Sequence, residues 1–272
     1  MVRVSFQGER GAYSEEAVVN FFGNEVDFLP LPYLSDVFKS VESNSSDYAV
    51  VPIENSLEGS VSETYDLLLN SGVKIVGESI LRVRHCFMIH PKAELSEIKE
   101  VWSHPQALSQ CRKFIEKMKL KPVPFYDTAG SAKAISEKGI LTAGAIASCR
   151  AASFYNLRVV EMGVEDSENN FTRFVVLGTR EVKKGPSNKT SLIFGTPHSP
   201  GSLYRALKVF ADKEINLTKI ESRPTKAKPW EYYFFVDFVG NVDDQKVKDA
   251  IEELKKVTTF IKLLGSYPAE LV

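Results

Sequence analysis

Up to Gly178, short apolar runs rich in β-branched and aromatic residues alternate with stretches whose apolar positions recur at helical spacing. Residues 2–7 predict a strand, followed by the turn Gly8-Glu9-Arg10-Gly11 and a helix opening at Ser14. Further strands are predicted at 48–53, twice within 74–89, at 122–125 and at 171–177, and helices at 63–69, 106–118 and 128–137. Such alternation predicts an α/β domain with largely parallel strands.

The pattern changes at residues 181–189, which are polar, carry adjacent Gly and Pro and show no periodicity, as a linker does. Beyond them a strand at 190–194 precedes an amphipathic helix at 202–213, where Leu203, Ala206, Leu207, Phe210 and Ala211 repeat at helical spacing. Strands at 217–222 and 232–239 follow, then a helix marked by Val247, Ala250, Ile251 and Leu254, then a strand at 260–264. The order βαββαβ is the ferredoxin-like arrangement. The chain thus reads as a larger α/β region over 1–180, a linker over 181–189 and a small domain over 190–272.

Composition narrows the class. The length allows two domains, and 43% hydrophobic with 25% charged residues describes an ordinary globular protein. The formal charge of −1 comes from 34 basic and 35 acidic residues, well mixed, which argues against a nucleic-acid partner. No apolar run approaches the ~20 residues of a membrane span, and the first strand is too short for a signal sequence. Cys86, Cys111 and Cys149 are far apart and form no CxxC pair, so three reduced thiols in a cytoplasmic protein are expected. His85 and His90 point to opposite faces of a strand, and no metal ligand set assembles. The glycines at Gly8 and Gly11 lack the third glycine of a dinucleotide fingerprint, so no cofactor is expected.

Three polar clusters fall at strand ends or helix starts, where α/β folds gather ligands. Gly8–Ser14 suits either an anion site at a helix N-terminus, with Ser14 as cap, or a plain turn and cap. Glu54, Asn55 and Ser56 follow a hydrophobic strand directly and fit either a site or a solvated loop. Arg173, between Thr172 and Phe174, needs a partner because buried charge is costly; an internal salt bridge and a ligand serve equally.

Together these segments resemble the prephenate dehydratase family: GERGAYS at 8–14, VPIENSLEG at 51–59, SHPQALSQC at 103–111, DTAGSA at 127–132 and NFTRF at 170–174. PGSLY at 200–204 and INLTKIESRP at 215–224 resemble the phenylalanine-binding ACT domain of that family. No chorismate mutase segment precedes them, so the resemblance is to the monofunctional form.

The resemblance implies a two-lobed catalytic domain like type II periplasmic binding proteins, with lobes at 1–76 plus 159–180 and at 77–158. It implies conversion of prephenate to phenylpyruvate with loss of CO2 and water. Thr172 is the leading catalytic residue, supported by Glu54, Asn55, Ser103 and Gln110. Ser14, Ser56, Thr128, Ser131, Arg173 and Phe174 are expected around the substrate, with Arg173 on the pyruvyl carboxylate, Phe174 facing the leaving carboxylate and Glu54 or water supplying the proton. L-phenylalanine is expected between two ACT domains of a homodimer or tetramer, held by Gly201, Ser202, Leu203, Asn216, Leu217, Glu221, Ser222, Arg223 and Pro224. Arogenate dehydratase and a non-catalytic amino-acid-responsive binding protein are the rival readings.

Overall fold

The computed structural model describes residues 1–179, 185, 188–225 and 230–270. A first lobe is built from β1 (Arg3–Gln7), α1 (Tyr13–Phe22), β2 (Asp27–Leu31), α2 (Leu34–Glu42), β3 (Tyr48–Asn55), β4 (Gly59–Ser60), α3 (Ser62–Asn70) and β5 (Lys74–Arg82). A second holds β6 (His85–Ile89), β7 (Glu100–Ser103), α4 (Pro105–Gln110), α5 (Arg112–Lys117), β8 (Lys121–Pro124), α6 (Thr128–Glu137), β9 (Ala143–Ser148), α7 (Cys149–Phe154) and β10 (Arg158–Met162). The chain then returns, and β11 (Phe171–Gly178) enters the first sheet between β3 and β5.

The sheets run β2-β1-β3-β11-β5 and β8-β7-β9-β6-β10. In each, three parallel strands are followed by an antiparallel strand on which the chain has just crossed between lobes, and then by an edge strand. The two-lobed architecture is therefore present, but the sheets are mixed rather than largely parallel. A strand buried on both faces, such as β11, reads as one apolar run in either direction. The lobe edges also move: β5 belongs wholly to the first sheet and β10 to the second, so the crossings are at 83–84 and 163–170 rather than at 76 and 159.

Three local expectations change as well. The helix expected over 106–118 is α4 and α5, meeting at Cys111. Ser14 is not a cap, because α1 starts at Tyr13 behind Ala12, and the N–H of Gly11 is taken by the buried carboxylate of Glu15 (2.7 Å). Cys86 and Cys149 form a disulfide, leaving Cys111 as the free thiol. Pairing of β6 with β9 sets Cys86 opposite Ala147, two residues before Cys149, a proximity that the 63-residue separation conceals.

The C-terminal domain comprises β12 (Asn188–Gly195), α8 (Ser202–Asp212), β13 (Leu217–Pro224), β14 (Tyr232–Val239), α9 (Gln245–Val257) and β15 (Phe260–Pro268), in the antiparallel order β13-β14-β12-β15. Of the expected linker, Asn188 and Lys189 already belong to β12, and residues 181–184, 186 and 187 lie outside those described. Leu192, Phe194, Val236 and Phe238 pack on the two helices. Their neighbours turn to the opposite face, where Ile193, Phe235, Leu264 and Tyr267 share one core with Tyr65, Leu68, Ile75 and Val175 of the first lobe. The two domains are thus joined by a common hydrophobic core as well as by the chain.

Polar contacts fix that docking. Lys262 donates to the carbonyls of Leu68, Leu69 and Ser71 at the C-terminus of α3, where orphan acceptors and the helix dipole favour a cation. Gly265 lies against the backbone of Ile75, and an added Cβ would collide with the Ile75 carbonyl. Gly265→Ala is expected to lower stability by about 1–3 kcal/mol through overpacking at the domain interface. Urea denaturation of the variant beside the parent checks this; equal midpoints would refute it.

Candidate active site

Between the lobes lies a cavity of about 370 Å³. β3 and β11 bring Asn55 and Thr172 to it as cross-strand partners, the second lobe contributes His85, Gln110 and Thr128, and α1 contributes Tyr13. Asn55 is held from both ends. Its Oδ1 accepts from the N–H groups of Leu57 and Glu58, and its Nδ2 donates to Asn170 Oδ1 (2.8 Å) and Thr172 Oγ1 (3.0 Å). The Thr172 hydroxyl therefore accepts from Asn55, and no described residue takes its own proton. It is a donor available to whatever fills the cavity.

The chain of contacts continues across the lobes. Asn170, fully buried on the returning segment, donates to Gln110 Oε1 (2.9 Å), which also faces His85 Nε2 (3.1 Å). His85 Nδ1 meets the Tyr13 hydroxyl (2.7 Å). Burial holds the His85 imidazole below its usual pKa despite the hydrogen bond to Gln110, and raises Tyr13. Both are neutral near pH 7, so His85 donates from Nε2 to Gln110 and accepts from Tyr13 at Nδ1. The sign follows from proton counting: near pH 6 the unfolded imidazole binds more protons than the folded one. Stability should therefore fall as pH drops below about 6.5 towards the lowered folded value, and His85→Gln should flatten that slope. Melting temperatures between pH 5 and pH 8 test it; identical slopes would refute it.

Among the sequence-predicted residues, Thr172, Asn55, Gln110 and Thr128 converge on this cavity. The others are placed elsewhere. Ser103 is buried and donates to the Ile146 carbonyl (2.6 Å), and Ser131 donates to Thr128 O within α6. Ser56 ties the returning segment to β3 through Asn169 O and Phe171 N. Glu54 pairs with Lys219 of the C-terminal domain, and Phe174 packs in the first-lobe core. Arg173 faces away from the cavity: its Nε donates to Glu78 (2.7 Å), Nη1 to Asp237 (2.5 Å) and Nη2 to Tyr267 (3.0 Å). Of the two explanations the sequence leaves for this arginine, the geometry is that of the internal salt bridge.

Tyr13, His85, Asn170 and Glu63 also belong to the site, although sequence pattern and resemblance assign them no role there. Tyr13 and Asn170 lie inside recognised motifs, which was the available signal. His85 had none, because its partner Gln110 is 25 residues away. The Gly8–Ser14 segment proves to be a lobe contact. Gly11, at φ 83°, packs so closely on Ala151 that a Cβ would sit 2.7 Å from its Cα, and Glu15 accepts from Arg150 of α7 (2.9 Å).

In the C-terminal domain, Gly201, Ser202 and Leu203 line a second cavity of about 340 Å³, closed on its other side by Tyr232 and Phe234. Glu221 and Arg223 instead face the first lobe, bonding Ser60 and Asp66, while Asn216 and Ser222 are exposed and Leu217 and Pro224 lie off this cavity.

The prephenate dehydratase family matches residues 4–182 and the ACT domain family residues 190–256. A bifunctional chorismate mutase/prephenate dehydratase of Aquifex aeolicus is 41% identical, over 100% of this chain and 75% of its own length. An arogenate dehydratase/prephenate dehydratase of Arabidopsis thaliana is also 41% identical, over 99% of this chain and 73% of its own. Among solved structures, the prephenate dehydratase of Arthrobacter aurescens in complex with L-Phe superposes with a TM-score of 0.90 at 29% identity, covering 98% and 90% of the two chains. GqqA, described as a quorum quenching acylase, gives the same score at 32% identity over 98% of each chain. With both regions matched in order over nearly its whole length, the chain belongs to the prephenate dehydratase family, decarboxylating carbon–oxygen lyases, and carries that family's C-terminal ACT domain.

Proposed function

We propose that the chain converts prephenate to phenylpyruvate in the interlobe cavity, in phenylalanine biosynthesis. The observation that carries this is the uncommitted proton of Thr172, whose oxygen accepts from Asn55 in a cavity that Tyr13, His85, Gln110 and Thr128 also line. In the reaction the ring loses its carboxylate as CO2, the freed electron pair aromatises the ring, and the 4-hydroxyl leaves with one added proton as water. Thr172 donates a hydrogen bond to that departing oxygen, and its alignment counts most once charge has built up there. Glu63 is the carboxylate among the described lining residues, so proton supply in this reading passes to Glu63 or water rather than to Glu54.

No described lysine or arginine lines the cavity. The substrate carboxylates therefore meet amides and hydroxyls, among them the Thr128 hydroxyl at the start of α6, whose N-terminal N–H of Gly130 is already taken by Asp127. A weak hold on the leaving carboxylate favours its loss, since a firm one would stabilise the ground state. L-phenylalanine binds in the cavity beside Gly201, and ACT domains of two cytoplasmic subunits pair around it.

Because one fold hosts several chemistries, as the acylase likeness illustrates, turnover decides. Purified protein should convert prephenate to phenylpyruvate, with a higher kcat/KM for prephenate than for arogenate. Absence of phenylpyruvate would overturn the reading, and the reverse preference would make the chain an arogenate dehydratase.

A further inference from the structure

β3 and β11 use opposite faces for opposite purposes. Thr172 pairs with Asn55 and Arg173 with Glu54, so one face turns the hydroxyl and amide to the cavity while the next residues turn an ion pair to the ACT sheet. The register skips Ile53 at this point, a bulge of the kind that re-aims side chains beside active sites. On the ACT side, Lys219 of β13 and Asp237 of β14 are themselves cross-strand neighbours. The two pairs meet with complementary charge: Lys219 on Glu54, Asp237 on Arg173. Glu78 and Lys189 complete a cluster with three charges of each sign. Ser191 donates to the second Asp237 oxygen (2.5 Å), and Tyr267 contacts both Ser191 and Arg173. At its other end, β14 supplies Tyr232 and Phe234 to the regulatory cavity.

We infer that Asp237 and Lys219 are positioning residues of the catalytic site, acting through Arg173 and Glu54 on Thr172 and Asn55, and that this quartet links the regulatory cavity to turnover. A shift of β14 cannot leave the quartet unchanged, because separating the buried Arg173–Asp237 pair leaves uncompensated charge, and a shift of β13 moves Lys219 away from the part-exposed Glu54. Each displaced ion pulls a residue directly adjacent in sequence to one that touches the cavity. Signals thus cross the sheet interface.

The test compares Asp237→Asn and Lys219→Met with Lys262→Met, which disturbs the same interface without touching the quartet. Asp237→Asn and Lys219→Met should lower kcat roughly 10–100-fold at nearly constant KM, as small misplacements of catalytic groups do. Calorimetry should still detect L-phenylalanine, while its effect on turnover shrinks to about 2-fold or less, because the coupling free energy has gone. Lys262→Met should melt earlier yet keep kcat and the phenylalanine response. Wild-type kcat or a full response in both quartet variants, or the same losses in Lys262→Met, would overturn the inference.

The kinetic arm rests on the dehydratase reading, so a second readout stands apart from it. Without substrate or ligand, amide hydrogen exchange over residues 52–56 and 171–175 should quicken in the two quartet variants and not in Lys262→Met. Unchanged exchange would refute the positioning role even in an active enzyme. A wild-type chain inert to prephenate would refute the function alone.

Discussion

Thr172→Ala is expected to lower kcat for prephenate by about 10²–10⁴-fold with little change in KM, the range associated with losing a positioned proton donor. The hydroxyl adds little to ground-state binding, since a neutral oxygen in prephenate accepts only an ordinary hydrogen bond. Its contribution grows as negative charge builds on the departing oxygen. Asn55 fixes the sense of the effect. By donating to Thr172 Oγ1 it occupies an acceptor site of that oxygen, and the threonine proton, which no described residue takes, stays free for a ligand in the cavity. Thr172→Ser should keep most of the activity, and Asn55→Ala should lose much of it with Thr172 intact. Steady-state kinetics on the three variants decide the matter; a Thr172→Ala enzyme with parental kcat would remove Thr172 from the mechanism.

Arg173→Met is expected to destabilise the protein by about 3–5 kcal/mol, the cost of breaking a buried ion pair and leaving its partners uncompensated. Glu78 and Asp237 are both almost fully buried, and Lys189 would remain to answer only the first. Burial would by itself lower the guanidinium pKa, but the facing Asp237, Tyr267 and Glu78 raise it, so the charge persists in the interior. KM for prephenate should stay within about 2-fold, because a group outside the cavity adds little differential binding. A binding arginine would behave in the opposite way, raising KM in a stable enzyme. Urea midpoints and KM values for Arg173→Met and Arg173→Lys separate the two.

Much of the fold is legible in the sequence because its signals are local. The helix over 128–137 was readable from its spacing, and the structure caps it at Asp127 through Gly130 N. The order βαββαβ follows from two amphipathic helices between short apolar strands, each recognisable without its neighbours. Strand direction is not local. β11 and β6 run antiparallel because the chain has just changed lobes, and nothing in their residue order records that. The disulfide of Cys86 and Cys149 eludes sequence reading in the same way, since it depends on the register of β6 with β9.

The candidate site divides along the same line. Residue type and motif point to Thr172, Asn55, Gln110 and Thr128, whose chemistry suits the cavity they reach. The parity of β3 and β11, which sends Asn55 and Thr172 to the cavity but Glu54 and Arg173 to the ACT sheet, follows only once both faces of that sheet are known to be covered. By itself the sequence determined two domains, their element order and the polar groups needed for an elimination, because helix periodicity, strand patterning and motif chemistry act over a few residues. Only the tertiary structure decided which face of each strand meets the interlobe cavity and which meets the C-terminal domain. A strand offers its two faces alike, and burial against distant parts of the chain chooses between them.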